Sequence, residues 1–170
     1  MTKYHGRERR AKRREELFDI FAIIRYIALT VLFSVIIYGM KLIVLTATNA
    51  SPTGQVGNGM LTLYEVHNTG AAFSLFQNQP EMIIIASFLT VAVLAFIVII
   101  MSAKLTHAAI SSMSLLTAGI IMNMAERISQ GYVIDYVHCD FLNNFPVFNT
   151  ADIMIVFGAL GLIWTVIARR

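Results

Sequence analysis

The chain has 170 residues, of which 57% are hydrophobic and only 14% charged, with a formal net charge of +3. A soluble domain carries about 25% charged residues, so lipid is the expected solvent, with room for one membrane-embedded domain (residues 1–170). A single cysteine, Cys139, excludes an intramolecular disulfide and a Cys-based zinc site.

Residues 1–26 hold seven of the thirteen basic residues before position 15: Lys3, Arg7, Arg9, Arg10, Lys12, Arg13 and Arg14. Beside a hydrophobic span, such a run reads as a topology signal attracted to anionic lipid, and no nucleic-acid partner is expected. Residues 15–25 (EELFDIFAIIR) are expected to form an amphipathic extension on the inner surface. The first span, 27–47, is interrupted only by Gly39 and Lys41. It is longer than the roughly 7–15 residues of a signal-peptide apolar core, and no small-residue cleavage site closes it, so it is read as an uncleaved anchor. In the loop 48–80, Pro52, Gly54, Gly57 and Gly59 mark turns. Residues 60–66 (MLTLYEV) are rich in strand formers and predict a short β-ribbon lying on the membrane.

Span 82–103 carries no charge, span 105–125 only His107, and span 151–168 only Asp152. Each approaches or exceeds the ~20 residues that cross a ~30 Å hydrocarbon core. Lipid offers the backbone no partners, so these spans must be helices. The expected fold is an all-α integral membrane protein, a four-transmembrane-helix bundle with a small extracytoplasmic β-ribbon. Arg169, Arg170, Lys104 and the N-terminal tail fall on one side of it, while loops 48–80 and 128–150 have no Lys or Arg. Basic residues stay cytoplasmic, which predicts a multi-pass protein of the bacterial cytoplasmic membrane with both termini inside and the two longer loops outside.

Polar groups in or beside spans are costly and mark function. With this topology, Lys41, Asn68, Asn123, Glu126, Arg127, Asp135, Asn149 and Asp152 all converge on the outer boundary. Gly119, Asn123 and Arg127 are spaced four apart and share a helix face. The glycine admits a close neighbour, and the polar pair can bond across the bundle. Asn149 and Asp152 also share a face. Two carboxylates without clustered metal ligands suggest acid–base work with no metal or other cofactor. Two such groups close together share one proton, so that one can activate water while the other hydrogen-bonds a carbonyl.

Three stretches then resemble motifs of the lipoprotein signal peptidases (signal peptidase II). Residues 68–74 (NTGAAFS) resemble N-x-G-A-A-F, residues 131–136 (GYVIDY) resemble G-x-V-x-D-F, and residues 148–152 (FNTAD) resemble F-N-x-A-D. Their order and their placement relative to the spans agree as well. The resemblance implies a membrane aspartyl endopeptidase that cleaves diacylglyceryl-modified prolipoproteins just before the lipidated cysteine, working among membrane lipids, with a monomer expected. It places Asp135 and Asp152 on the catalytic pair, and Asn68 and Gly70 on a loop that shapes the substrate pocket. Asn123, Arg127, Asn149 and Lys41 fall on supporting positions.

The chain departs from the family's D-Q-x-x-K at Ile37, and from G-N-x-x-D-R at Met122 and Glu126. These changes predict a less well-braced shell, in which Glu126 becomes the partner of Lys41 and Ile37→Asp with Glu126→Asp restores the bracing. Other readings are a catalytically impaired relative that binds acylated peptides or lipid, and a proton relay. Individually, Asp135 could be a loop carboxylate, Asp152 a helix-start acid, Arg127 a helix-end anchor, and Lys41 a side chain reaching for headgroups.

Overall fold

The computed structural model describes residues 2–57, 59–71, 76–142 and 144–168, with side chains described from residue 20 onward. Ala72, Phe73 and Ser74 of the first motif, Arg169, Arg170 and the side chains of the basic tail lie outside the described residues. Four α-helices, α1 (Thr2–Ala50), α2 (Pro80–Met101), α3 (His107–Gln130) and α4 (Thr150–Ile167), alternate with strands β1 (Val56–Gly57), β2 (Leu61–Asn68) and β3 (Val133–Cys139). All four helices are long and apolar enough to cross a membrane, over Ile20–Ala50, Pro80–Lys104, His107–Gln130 and Thr150–Ile167.

Each helix end has a local cause. Pro80 opens α2 where a missing N–H costs nothing. The Thr106 side chain caps α3 by accepting from the Ala109 amide, and Gly131, at φ 83°, ends it. Asn149 and Asp152 form a capping box that starts α4. No break separates residues 15–25 from the first span. This stretch is continuous with α1, because nothing between Gly6 and Gly39 interrupts the helical run.

Half of the α3 span is buried, against 11–17% of the other three, so α3 is the centre and the others pack around it. Outward faces carry Phe88, Phe96, Ile100, Phe157 and Trp164, all more than 60% exposed, as suits helices solvated by lipid. Tyr26, Leu94, Val98, Ile110 and Met113 join α1, α2 and α3 at one end of the bundle. Against α4, glycines let the backbones meet. A Cβ at Gly119 would lie 2.5 Å from the Ala151 carbonyl, and one at Gly158 would lie 2.6 Å from the Leu116 nitrogen.

The sheet caps the opposite end. Its order is β1-β2-β3, antiparallel throughout. β2 pairs Asn68 with Val133 and Val66 with Asp135, with an irregularity between Leu63 and Val66. The ribbon expected from the first loop therefore has a third strand from the second loop. At about 1.5 Å per residue the apolar part of α1 outruns a bilayer core. Its last turns pack on the sheet, Val44 joining Ile134 and Tyr136 in one buried cluster.

The glycine seam makes a testable distinction. Gly158→Ala should lower stability by roughly 1–3 kcal/mol through forced separation of α3 and α4. Gly39→Ala, whose Cβ meets nothing within 4 Å, should be neutral or gain up to about 1 kcal/mol of helix propensity. Thermal unfolding in detergent would compare them, and equal responses would contradict the packing.

Candidate active site

The ends of α3 and α4, strand β3 and the segment after β2 meet around a cavity of about 700 Å³. Asn68, Gly70, Asn123, Arg127, Asp135 and Asp152 line it, with an apolar wall of Ile83, Ile120, Ile155 and Val156 and a rim that includes Phe145 and Phe148. The structure brings together Asn68, Gly70, Asn123, Arg127, Asp135 and Asp152 in the lining, with Asn149 bonded to them from beside it, while Lys41 and Glu126 pair with each other outside the cavity.

Asn149 is the bridge. Its side-chain amide donates to Asp135 Oδ1 at 2.7 Å and to Asn123 Oδ1 at 3.2 Å. Its backbone N–H donates to Asp152 Oδ2 at 3.0 Å, and its Oδ1 accepts from the Asp152 N–H at 3.1 Å. Asn123 completes the ring by donating to Asp152 Oδ1 at 2.8 Å. The other oxygen of Asp135 accepts from Asn68 Nδ2 at 2.9 Å, and Asn68 Oδ1 accepts from the Gly70 N–H at 2.9 Å. Asp135 is therefore no ordinary loop carboxylate. It lies within β3, opposite Val66, and is only 3% exposed.

Arg127 is not a helix-end anchor in the headgroups. It is buried, and its Nη2 donates to the Gly70 carbonyl at 2.7 Å, tying the segment after β2 to α3. Lys41 does not reach for headgroups either. Its Nζ lies 2.8 Å from Glu126 Oε1, with both side chains only 15% exposed. The other Glu126 oxygen accepts from the Ile134 N–H at 2.9 Å.

The departures at 37 and 122 form an apolar set. Ile37 is buried against Ala118 and Ala151, with Phe33, Met122 and Met154 around it. With Glu126 kept, Lys41 already has its partner and a carboxylate at 37 would be buried in that cluster, so Ile37→Asp alone should cost stability. The sequence reading missed Tyr136. It is 2% exposed, its hydroxyl bonds Thr150 Oγ1 at 2.6 Å, and it accepts from the Thr150 N–H at 3.1 Å. The signal was present, a Tyr at the motif position that reads Phe.

Burial pushes the Asp135 carboxyl up to about 6. Its hydrogen bond from Asn68 works against this, the nearby Asp152 adds to it, and the bond from Asn149 and the Arg127 charge oppose it. The folded value lies above the unfolded one of about 4. The contribution to stability is thus complete below the unfolded value and is lost as pH rises to about 6. Around that pH the pair can hold a single proton, the condition for one group to accept a proton while the other donates a hydrogen bond.

A four-helix core with a small sheet over one end and two carboxylates facing one cavity defines the class, a membrane-embedded helical protein with a polar site at one end of its bundle. The fold is shared with a bacterial membrane enzyme solved by the in meso method, at a TM-score of 0.71 and 24% identity, covering 84% of this chain and 87% of that one. The family model of signal peptidase (SPase) II matches residues 27–168. The lipoprotein signal peptidase of Dehalococcoides mccartyi is 36% identical over 124 residues, covering 71% of this chain and 75% of that protein. The lipoprotein signal peptidase of Lactiplantibacillus plantarum is 27% identical over 135 residues, covering 79% of this chain and 89% of that protein. The chain belongs to the signal peptidase II family. It is a multi-pass bacterial membrane peptidase.

The titration of Asp135 is measurable by infrared difference spectroscopy. The carboxylic C=O band missing from Asp135→Asn should disappear with a midpoint at about 6. Asn68→Ala removes a bond to the carboxylate, so the midpoint should rise. A midpoint that falls or stays put would contradict the arrangement.

Proposed function

We propose that this protein removes signal peptides from diacylglyceryl-modified prolipoproteins, cleaving just before the lipidated cysteine, and that Asp135 and Asp152 are its catalytic pair. The observation that carries the reading is the convergence of both carboxylates on one cavity, joined through Asn149. Asp135 holds the shared proton and Asp152 is the base. Water between them loses a proton to Asp152 and adds to the scissile carbonyl carbon. Asp135 donates its proton to the carbonyl oxygen, giving a neutral gem-diol. Collapse returns a diol proton to Asp135 and breaks the C–N bond, while Asp152 passes its proton to the leaving amine. The pair ends as it began, and no cofactor takes part.

Asn68 and Gly70 shape the pocket wall, held by Arg127, while Asn123 and Asn149 orient the carboxylates. Retention of all these groups around both acids favours cleavage over a relative that only binds acylated peptides or lipid. The apolar wall of Ile83, Ile120, Ile155 and Val156 suits a substrate delivered from the bilayer. Acyl chains held in the outer leaflet would present the peptide bond to the pair. The chain acts as a single domain (residues 1–170) and as a monomer among membrane lipids. Its termini are cytoplasmic, and the sheet and site lie at the outer face of the cytoplasmic membrane.

Purified protein incubated with a lipidated prolipoprotein should release the signal peptide, as read by mass spectrometry. Asp135→Asn and Asp152→Asn should each lose at least about 10³-fold in kcat while remaining folded, and the unlipidated precursor should be turned over far more slowly. Full turnover by either variant would refute the pair, and equal rates for the two precursors would refute lipid recognition.

Orientation has its own test. A cysteine at the exposed Gln55, in a Cys139→Ala background, should react in intact cells with a membrane-impermeant thiol reagent once any outer membrane is permeabilised. Labelling only after lysis would invert the topology.

A further inference from the structure

Strand β3 places Asp135, and both neighbours of Asp135 are held from outside the cavity. On one side, the Ile134 N–H donates to Glu126 Oε2 at 2.9 Å, and the other Glu126 oxygen is paired with Lys41 at 2.8 Å. On the other side, the Tyr136 hydroxyl bonds Thr150 Oγ1 at 2.6 Å and accepts from the Thr150 N–H at 3.1 Å. Thr150 is the first residue of α4, two before Asp152. The Tyr136 tether therefore ties the strand of one carboxylate to the helix turn of the other. The Glu126 tether ties that strand to α3, whose Asn123 bonds Asp152.

Both tethers use positions where this chain departs from its motifs, Tyr for Phe at 136 and Glu for Asp at 126. The extra methylene of Glu126 lets one side chain meet both Lys41 and the Ile134 amide. The Tyr136 hydroxyl adds a bond that a phenyl ring cannot make. Tyr136 is 2% exposed and the Glu126 side chain 15%, so water competes little for these bonds.

We propose that Tyr136 and Glu126 are positioning residues, a two-point clamp on β3 that sets the spacing between Asp135 and Asp152. Neither touches the reacting atoms. The inference rests on the proposed aspartate pair, and loss of the clamp would loosen the geometry by a fraction of an ångström to about 1 Å, enough to cost up to about 10²-fold in rate. Loosening would also weaken the Asn68 and Asn149 bonds to Asp135, which favour its carboxylate. The alkaline limb of the pH–rate profile should then move upward, a shift that general destabilisation would not produce.

The test uses full-length protein and lipidated prolipoprotein. Tyr136→Phe removes one oxygen atom; it should lower kcat about 5- to 30-fold, leave KM within about twofold, and move the alkaline limb to higher pH. Replacing a buried ion pair by apolar side chains is often tolerated in stability, so Lys41→Met with Glu126→Met should fold yet lose kcat about 10-fold or more. Lys41→Met with Glu126→Gln keeps an acceptor for the Ile134 amide without the charges, and should recover most of that loss. Wild type and Asp135→Asn run alongside. If wild type turns over and Asp135→Asn does not, but Tyr136→Phe matches wild type in kcat and pH profile, the clamp is refuted while the pair stands. If Glu126→Gln rescues no better than Glu126→Met, the amide acceptor has no role and that half of the clamp fails. If wild type itself does not turn over, the pair fails, and amide exchange decides the clamp: Ile134 should exchange faster in the Lys41→Met, Glu126→Met protein, and an unchanged rate would refute it.

Discussion

Asn149 joins two carboxylates that come from different kinds of structure: its side-chain amide donates to Asp135, within a strand, and its backbone N–H donates to Asp152, in the first turn of a helix. An amide is suited to this because it donates and accepts at once. Its nitrogen reaches Asp135 and Asn123, its oxygen takes the Asp152 amide, and its own backbone N–H serves Asp152. The same residue starts α4. The beginning of the helix and the placing of the second acid are therefore one event, and the segment from β3 to α4 must return Asn149 to the end of β3. The pairing of Val137 with Phe148 and the Tyr136 hydroxyl on Thr150 make that return.

Charge explains how such a site is tolerated. Three carboxylates, Asp135, Asp152 and Glu126, lie near two cations, Arg127 and Lys41. With every group ionised, the set carries one net negative charge in surroundings of low dielectric, where an unbalanced charge costs several kcal/mol. One retained proton makes the set neutral, and the carboxyl pushed up to about 6 is Asp135. The state that burial favours is thus the singly protonated pair that the proposed mechanism uses. Lys41 belongs to this balance although it lines no cavity.

Much of this was legible in the residues. Four apolar runs gave four helices because lipid leaves the backbone no alternative. The i, i+4 spacing of Gly119, Asn123 and Arg127 was enough to put a close helix contact and two cavity residues on one face. Strand β3 was not legible: VIDYVHC is held as a strand by its pairing with β2, a long-range contact that local pattern does not carry. Ile37 and Met122 were read as losses, but each fills space for the other, which shows only once α1, α3 and α4 are packed. Tyr136 was hidden because its hydroxyl gains meaning only from Thr150, fourteen residues on.

The most direct test of the account is Asn149→Ser. Serine caps a helix about as well as asparagine, so α4 should still begin at Thr150 and the melting temperature should stay within a few degrees. A short hydroxyl that caps the Asp152 amide cannot also reach Asp135, so the Asp135 bond is lost while the backbone N–H still serves Asp152. Turnover of a lipidated prolipoprotein should therefore fall by at least about 10²-fold in kcat, as expected when reacting groups lose their alignment. A folded Asn149→Ser protein that turns over within about threefold of wild type would show that the Asn149 amide does not hold Asp135 in place beside Asp152, and the account would fail.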